Sequence, residues 1–405
     1  MTTLLLAVAY LVTPLGILLL LSSFIYASSK SNKYILFFGL TFGVIGYCSV
    51  PIRVIDITRY FQTIDALKGM TLHEAMAGNG NGLVVTTFWF WLVSKIGDNN
   101  VLPFLSMTTI HSILCYIVVD SLKERKKAIK YFLLLLVLRF PFYSVYSNVR
   151  NVSAFALLAL ALYRDLIKNK RGIITIALYI VPCFIHMTGF VIVLLRLFLP
   201  FIRKFPIFSI ASTLGIPAVS ILVYTKFRSL PIPGGIGSIV NRAIWKAYTS
   251  TMADSEYAQI TQGHLSFLAS RLVTISLLIC FLILIILYIR RMKRVSDFLL
   301  IESIVVSVAL IWTSLGIVKY WIMVYMASLL SPPVISEIIF QRSIKLPFRK
   351  LMLQIMILSC CMNLPLQVHR ILSNFDLRLL FMNMFLNNYL TIIIKAVFGV
   401  LLNVG

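Results

Sequence analysis

A short polar stretch that follows the second apolar run carries residue types that bind anions and move protons. It reads PIRVIDITRYFQTID over residues 51–65 and contains Arg53, Asp56, Arg59 and Tyr60. Only 12% of the residues in the chain are charged, so two arginines beside carboxylates in so short a stretch stand out. Guanidinium groups bind phosphate oxygens through paired hydrogen bonds, and a carboxylate can orient a guanidinium or accept a proton.

The spacing of these residues places them on one face if residues 53–60 form a helix. Asp56 and Tyr60 are four positions apart, and Arg53 lies three positions before Asp56. Asp56 would then hold Arg53 or Arg59 while the guanidinium binds phosphate, and each charge-assisted hydrogen bond contributes about 1.5–3 kcal/mol. The alternative is a salt bridge that only anchors the end of a membrane helix.

Two further polar residues stand beside or within apolar runs. Arg150 lies in SNVRN, which we expect to be a tight turn. An arginine at this position either binds an anion or extends its side chain to the lipid headgroups. His186 lies in CFIHMTGF, where a neutral imidazole could accept a proton from a hydroxyl nucleophile. The alternative for His186 is a hydrogen-bonded packing residue.

The composition places these residues in a membrane protein. Hydrophobic residues make up 60% of the 405 positions, and the mean hydropathy is +0.95. So little polar surface cannot cover a soluble core, and repeated apolar runs of about 18–24 residues predict transmembrane helices. We interpret the N-terminal run as a retained first span, because no basic region precedes it and no cleavage site follows.

The net charge of +24 has a membrane explanation as well. Basic clusters such as KERKKAIK (123–130), KNKR (168–171) and RRMKR (290–294) separate the apolar runs. Cytoplasmic loops of membrane proteins are enriched in lysine and arginine, which sets the orientation. We therefore predict these clusters in the cytoplasm and no nucleic-acid partner.

Placing the basic clusters on one side predicts an all-α polytopic protein of about 13 transmembrane helices (range 11–14), a single membrane domain over 1–405. The N-terminus is outside and the C-terminus inside. A first outer loop (53–100) contains an interfacial helix at 82–97, and a large outer loop covers 227–266. The run 172–201 is divided into two short helices that meet at His186.

The common templates for cofactor and metal sites are absent from the sequence. The six cysteines fall inside apolar runs and form no CxxC pair. There is no Walker loop, no HExxH and no GxSxG motif. We therefore predict neither a metal nor a cofactor.

Three segments resemble the EpsG-like, Wzy-type polysaccharide polymerases. They are DITRYF (56–61), NVRNVSAFALLALALYRDLIKNKR (148–171) and IALYIVPCFIHMTGFVIVLL (176–195). In that family an outer-loop aspartate is followed by Arg-Tyr, an arginine opens a helix that ends in basic residues, and a histidine precedes a small hydroxyl residue. The matching positions are Asp56, Arg59 and Tyr60, then Arg150, then His186 with Thr188.

The resemblance implies a membrane glycosyltransferase with an architecture similar to the GT-C class. Such proteins transfer a growing glycan from an undecaprenyl diphosphate carrier to the next lipid-linked repeat unit, at the outer face of the bacterial plasma membrane. The product is O-antigen, capsule or exopolysaccharide, and a chain-length regulator and a flippase of the same pathway are the expected partners.

The resemblance and the predicted outer position together give a set of expected site residues. His186 and Asp56 are the candidate catalytic residues. Four arginines are expected to bind the diphosphate: Arg53, Arg59, Arg150 and Arg271. Five further residues are expected to contact the substrate: Tyr60, Asp254, Glu256, Tyr257 and Lys319.

Three other functions fit part of the same evidence. A lipid-linked oligosaccharide flippase has a similar span count and cationic cavities, but the sequence shows no two-half repeat. An O-antigen ligase uses the same lipid diphosphate donor. A membrane acyltransferase would need a histidine in a characteristic early setting, and the first histidine here is His73.

Overall fold

The structure is a computed structural model, and it describes residues 34–52, 55–78, 83–123, 142–186, 189–215, 265–292, 294–314, 320–340, 354, 357, 368–369, 371–388, 390 and 394. Across these residues the secondary structure is helical and contains no strand, and an isolated β-bridge joins Pro51 to Phe375. The predicted all-α fold is confirmed for this part of the chain.

The described residues fall into two compact units. The first comprises residues 1–193 with 367–405, and the second comprises 194–366. The prediction of a single membrane domain over the whole chain stays a prediction. The helices up to the boundary are α1 Tyr34–Cys48, α2 Asp56–Ala66, α3 Leu72–Ala77, α4 Val84–Ile96, α5 Val101–Ser121, α6 Phe142–Ser147, α7 Val149–Leu162 with a π-helical turn Tyr163–Ile167, α8 Ile173–Ile185 and α9 Gly189–Leu197.

The second unit is built mainly from three long helices. In chain order the remaining elements are α10 Leu199–Lys204, α11 Pro206–Gly215, α12 Leu265–Arg291, α13 Asp297–Ser314, α14 Tyr320–Phe340 and, in the first unit, α15 Leu377–Leu386. Helix α13 packs against α12, α14 and α10. Arg203 of α10 pairs with Asp297 at the start of α13, with Nη2 2.5 Å from Oδ2.

Close approach of α1 and α5 organises the first unit. Gly39 and Gly43 form a GxxxG pair on α1, and an added methyl group would overlap Ser112 Oγ at the first position and Thr108 Oγ1 at the second. Small residues at this spacing let helix backbones approach closely, which is how membrane helices associate. Helix α15 packs on the other end of α1, where Met384 joins a cluster of buried side chains.

Three of the described helices are long and apolar enough to cross a membrane. They are α5, residues Arg271–Arg291 of α12, and α13. Apolar helices of 10–17 residues accompany them, including Val84–Ile96 and Ile173–Ile185. The described helices are compatible with a multi-pass membrane protein, and neither the count of 13 nor the orientation is confirmed.

Several predicted boundaries can be compared with the helices directly. The run 172–201 does break at His186, as predicted, and residues 82–97 contain the helix Val84–Ile96. The predicted outer loop at 227–266 lies almost entirely outside the described residues.

Candidate functional site

The polar stretch after α1 forms a separate helix and does not continue α1. Two backbone hydrogen bonds hold residues 49–52 beside the segment that precedes α15. Ile52 N donates to Asn374 O at 2.9 Å, and Asp376 N donates to Val50 O at 3.0 Å. Helix α2 then begins at Asp56, after extended Ile55. The Ile55 N–H, left without a helical partner, donates to Thr58 Oγ1 at 3.1 Å. Arg53 lies outside the described residues.

Asp56 and Arg59 form an open ion pair on α2. Arg59 Nη1 lies 3.7 Å from Asp56 Oδ1, and the two side chains are 72% and 45% exposed. An ion pair this exposed contributes about 0–1 kcal/mol. Because so little holds Arg59 to Asp56, the guanidinium can turn to another anion at small cost.

Tyr60 lies on the buried side of the same helix, beneath Arg150. The side chain is 9% exposed, and its ring centroid lies 5.5 Å from that of Phe90 on α4. Arg150 Cζ lies 5.4 Å from the centroid of the Tyr60 ring. A cation over an aromatic face at this distance contributes about 0.5–2 kcal/mol, depending on how far it is desolvated.

The environment of Tyr60 keeps its phenol protonated. Burial raises the pKa of Tyr60, the charge of Asp56 raises it further, and the charges of Arg150 and Arg59 offset part of the increase. The phenol is therefore neutral at physiological pH and does not act as a base. Its contribution to the site is the ring face that carries the guanidinium.

Arg150 lies in the first turn of a helix, whereas the sequence predicts a tight turn over residues 147–151. Only Asn148 leaves helical geometry between α6 and α7: its N–H donates to Ser144 O at the end of α6, and its carbonyl accepts from Val152 N at the start of α7. Arg150 is the second residue of α7, and its Nε donates to Asn151 Oδ1 at 3.4 Å. Contacts from Tyr60 and Asn151 thus orient the guanidinium.

His186 is placed by the break between α8 and α9. Its backbone is extended, its N–H donates to Pro182 O at 2.9 Å, and its carbonyl accepts from Gly189 N at 2.8 Å. Glycine at position 189 suits this close return of the chain, because an added Cβ would lie 3.1 Å from Cys183 Cα, a tight contact. The imidazole meets the ring of Phe155 on α7 edge-on, with centroids 6.2 Å apart.

Helix α4 connects the Tyr60 and His186 parts of the site. Phe90 packs on Tyr60, and Thr86, one turn earlier, donates from Oγ1 to the carbonyl of Ile185 at 3.0 Å. Thr86 is buried, and this bond satisfies a carbonyl at the end of α8 that has no helical partner. Thr86 is not among the residues predicted from the sequence, where its hydroxyl inside an apolar aromatic run is the signal that indicates it.

The structure therefore brings the three resembling segments together around the start of α7. Arg150 contacts Tyr60, and Phe155, five residues further along α7, contacts His186. Five residues of helix correspond to a rise of about 7.5 Å. Two guanidiniums, a carboxylate and an imidazole in one unit can bind an anion and accept a proton from a nearby hydroxyl.

The remaining expected site residues lie in the second unit or outside the described residues. Arg271 belongs to the second unit, where its Nε and Nη2 each lie 2.7 Å from a carbonyl at the end of α13, those of Thr313 and Ser314. These contacts support a capping role, which differs from the expected contact with diphosphate. Asp254, Glu256, Tyr257 and Lys319 lie outside the described residues.

No group of three or more His, Cys, Asp or Glu side chains that could hold a metal ion occurs among the described residues. Comparison of the chain with protein-family models, with curated proteins and with solved structures finds no match. The resemblance to the EpsG-like polymerases therefore stays a prediction that rests on the three segments.

Proposed function

We propose that the protein is a polysaccharide polymerase that joins undecaprenyl-diphosphate-linked oligosaccharide repeat units at the outer face of the bacterial plasma membrane. The observation that carries this proposal is the contact of Arg150 with Tyr60, on a helix whose Phe155 contacts His186. Three segments that are distant in the sequence thereby supply one cluster with the groups that glycosyl transfer from a diphosphate needs.

In the proposed reaction, the hydroxyl oxygen of the acceptor sugar attacks the anomeric carbon of the donor glycan. The bond from that carbon to the diphosphate oxygen breaks, and the diphosphate leaves with the bonding electron pair. Arg150 and Arg59 stabilise the charge that develops on the leaving group. Arg53, by its predicted position, and Arg271 are further candidates for this contact, although the described bonds of Arg271 favour capping.

The proton of the acceptor hydroxyl has two candidate receivers in the cluster. His186 is held at a helix break by both of its backbone groups, so the point at which its side chain leaves the backbone is fixed. Asp56 is half-exposed, and its contact with Arg59 is compatible with orienting the guanidinium. We assign the base to His186 and the orienting role to Asp56. Tyr60 supports Arg150, and Asp254, Glu256, Tyr257 and Lys319 remain candidates for contacts with the glycan.

Reconstitution tests this proposal directly. Purified protein in liposomes, supplied with undecaprenyl-diphosphate-linked repeat units, is expected to form products of two or more units and to release undecaprenyl diphosphate. Arg150→Ala is expected to abolish both products. Its matched control is Arg164→Ala, which removes an arginine at the opposite end of the same helical segment, where Nε contacts Thr175 Oγ1. Unchanged repeat units with the wild-type protein would contradict the proposal, and their transfer to the opposite leaflet would indicate a flippase.

A further inference from the structure

A carboxyl group is buried inside one of the helices long enough to span a membrane. Glu302 lies on α13, one and a half turns from its start, and is 0% exposed. Both carboxyl oxygens are buried and make no hydrogen bond with any residue that the structure describes. Its neighbours on the same face of α13 are apolar and buried as well: Phe298, Leu299, Val305 and Val306.

The ionisable groups on the helices packed against α13 are engaged elsewhere, uncharged or at helix ends. Arg203 pairs with Asp297, Arg271 binds the carbonyls of Thr313 and Ser314, and Glu337 accepts from Ser296 and interacts with Tyr288. Among the side chains that the structure describes, the others on these helices are a thiol, a phenol and three cations in last turns: Cys280, Tyr325, Lys204, Arg290 and Arg291.

We propose that Glu302 is a proton-binding site inside the membrane, occupied by its proton in this packed arrangement. An ionised carboxylate with neither a cation nor a hydrogen-bond donor loses its hydration without compensation, whereas the neutral acid loses far less. Ionisable side chains inside spanning helices characteristically mark ion or proton pathways. This inference concerns the second unit alone and does not rest on the transferase reaction.

In this arrangement the carboxyl group that holds the proton is fully buried. Release requires that the packing of α10, α12, α13 and α14 opens enough to hydrate the carboxylate. Protonation of Glu302 and closure of this unit are therefore linked, so that each stabilises the other.

Infrared spectroscopy of the full-length protein in lipid at pH 7 tests this site. We expect the C=O stretching band of a protonated carboxylic acid, lost in Glu302→Gln and retained in Glu74→Gln. Glu74 is a suitable control because its exposed carboxylate caps a helix by accepting from Thr71 N at 2.7 Å. On transfer to D₂O, the shift of the band that reports exchange of the carboxyl proton is expected to be far slower than exchange at exposed groups, because Glu302 is buried.

Isotopic labelling keeps the test decisive if Glu302→Gln does not fold. Glutamate labelled with ¹³C at the side-chain carboxyl is expected to move the band in the wild-type protein, and labelled aspartate is expected to leave it in place. Absence of a protonated-acid band at pH 7, its persistence in folded Glu302→Gln, or its movement with labelled aspartate alone would overturn the proposal. Absence of the protonated-acid band would indicate an ionised Glu302 with a cationic partner.

Discussion

The guanidinium of Arg150 lies over the ring of Tyr60, with Cζ 5.4 Å from the ring centroid. Helix α7 carries Arg150 and α2 carries Tyr60, together with Asp56 and Arg59. One side-chain contact therefore fixes the position of the Arg150 guanidinium in one segment relative to the Asp56–Arg59 pair in another. The predicted roles of both segments depend on this contact.

The first prediction concerns the aromatic ring beneath Arg150. Tyr60→Leu removes the ring face and is expected to weaken binding of the lipid-diphosphate donor by about 2- to 30-fold, which corresponds to 0.5–2 kcal/mol. Tyr60→Phe keeps the face and is expected to bind normally. Titration of the purified variants with donor in liposomes measures the difference. Equal binding by Tyr60→Leu and the wild-type protein would show that the ring does not support Arg150.

The second prediction separates the base from the orienting carboxylate. His186→Ala is expected to lower turnover by roughly two to four orders of magnitude while donor binding persists. Asp56→Asn retains the shape of the side chain and removes its charge, so it is expected to weaken donor binding more than the chemical step. Single-turnover rates and donor affinities, measured on the same preparations, distinguish the two effects.

Two results would change these assignments. Normal polymer from His186→Ala would exclude His186 as the base, and Asp56 or an acid of the 254–256 segment would take that role. Full donor binding with lost turnover in Asp56→Asn would reverse the assignment between the two residues.

The third prediction concerns the packing of α1 on α5. Gly43→Ala places a methyl group against Thr108 Oγ1, and overpacking of this kind costs about 1–3 kcal/mol. The matched control is Gly172→Ala, since no atom lies within 4 Å of the added methyl there. Thermal unfolding in detergent is expected to show a lower midpoint for Gly43→Ala alone. Equal midpoints would mean that the two helices separate at no cost.

The fourth prediction concerns acid stability in the first predicted outer loop. Partial burial raises the pKa of Asp65, but hydrogen bonds from Lys68 at 2.6 Å and Asn99 at 3.0 Å outweigh it and lower the pKa overall. A lowered pKa in the folded state gives stability that is present above the unfolded value of about 3.9 and is lost as pH falls through the folded value. Asp65→Asn is therefore expected to unfold more easily than wild type at pH 7.

The pH dependence of this difference provides the check. Unfolding midpoints of the wild type and Asp65→Asn are expected to converge as pH falls below about 4, because the wild-type side chain is then neutral as well. A difference of constant size from pH 7 to pH 3 would attribute the effect to shape and not to charge.

The helical class and the break at His186 could be predicted because they depend on local signals. Apolar runs predict helices directly, and a run too long for one span, with His186 at its centre, indicates a break. The positions of Asp56 and Tyr60 on one helix also follow from their spacing. The local chain around Arg150 was less predictable, because SNVRN favours a turn and packing keeps it helical beyond Asn148.

The contacts that assemble the site could not be predicted, because they depend on long-range packing. Phe90 and Thr86 look like ordinary residues of an apolar run, yet one packs on Tyr60 and the other holds the end of α8. Arg271 is a further example: its contacts with the last carbonyls of α13 arise from the packing of two helices, and its predicted contact with diphosphate stays a prediction. Which arginine caps a helix is determined by tertiary structure alone.

The most direct test of the central claim is carbohydrate gel analysis of a bacterial strain that lacks the gene, complemented with the wild-type gene, Arg150→Ala or Arg150→Lys. We predict a single repeat unit on its anchor in the deletion strain and with Arg150→Ala, and shortened or sparse polymer with Arg150→Lys, because lysine lacks the paired donors of arginine. Normal chain length with Arg150→Ala, at wild-type protein levels, would contradict the assigned site. Full-length glycan left on the lipid carrier in the deletion strain, or loss of both polymer and repeat units, would contradict the polymerase itself.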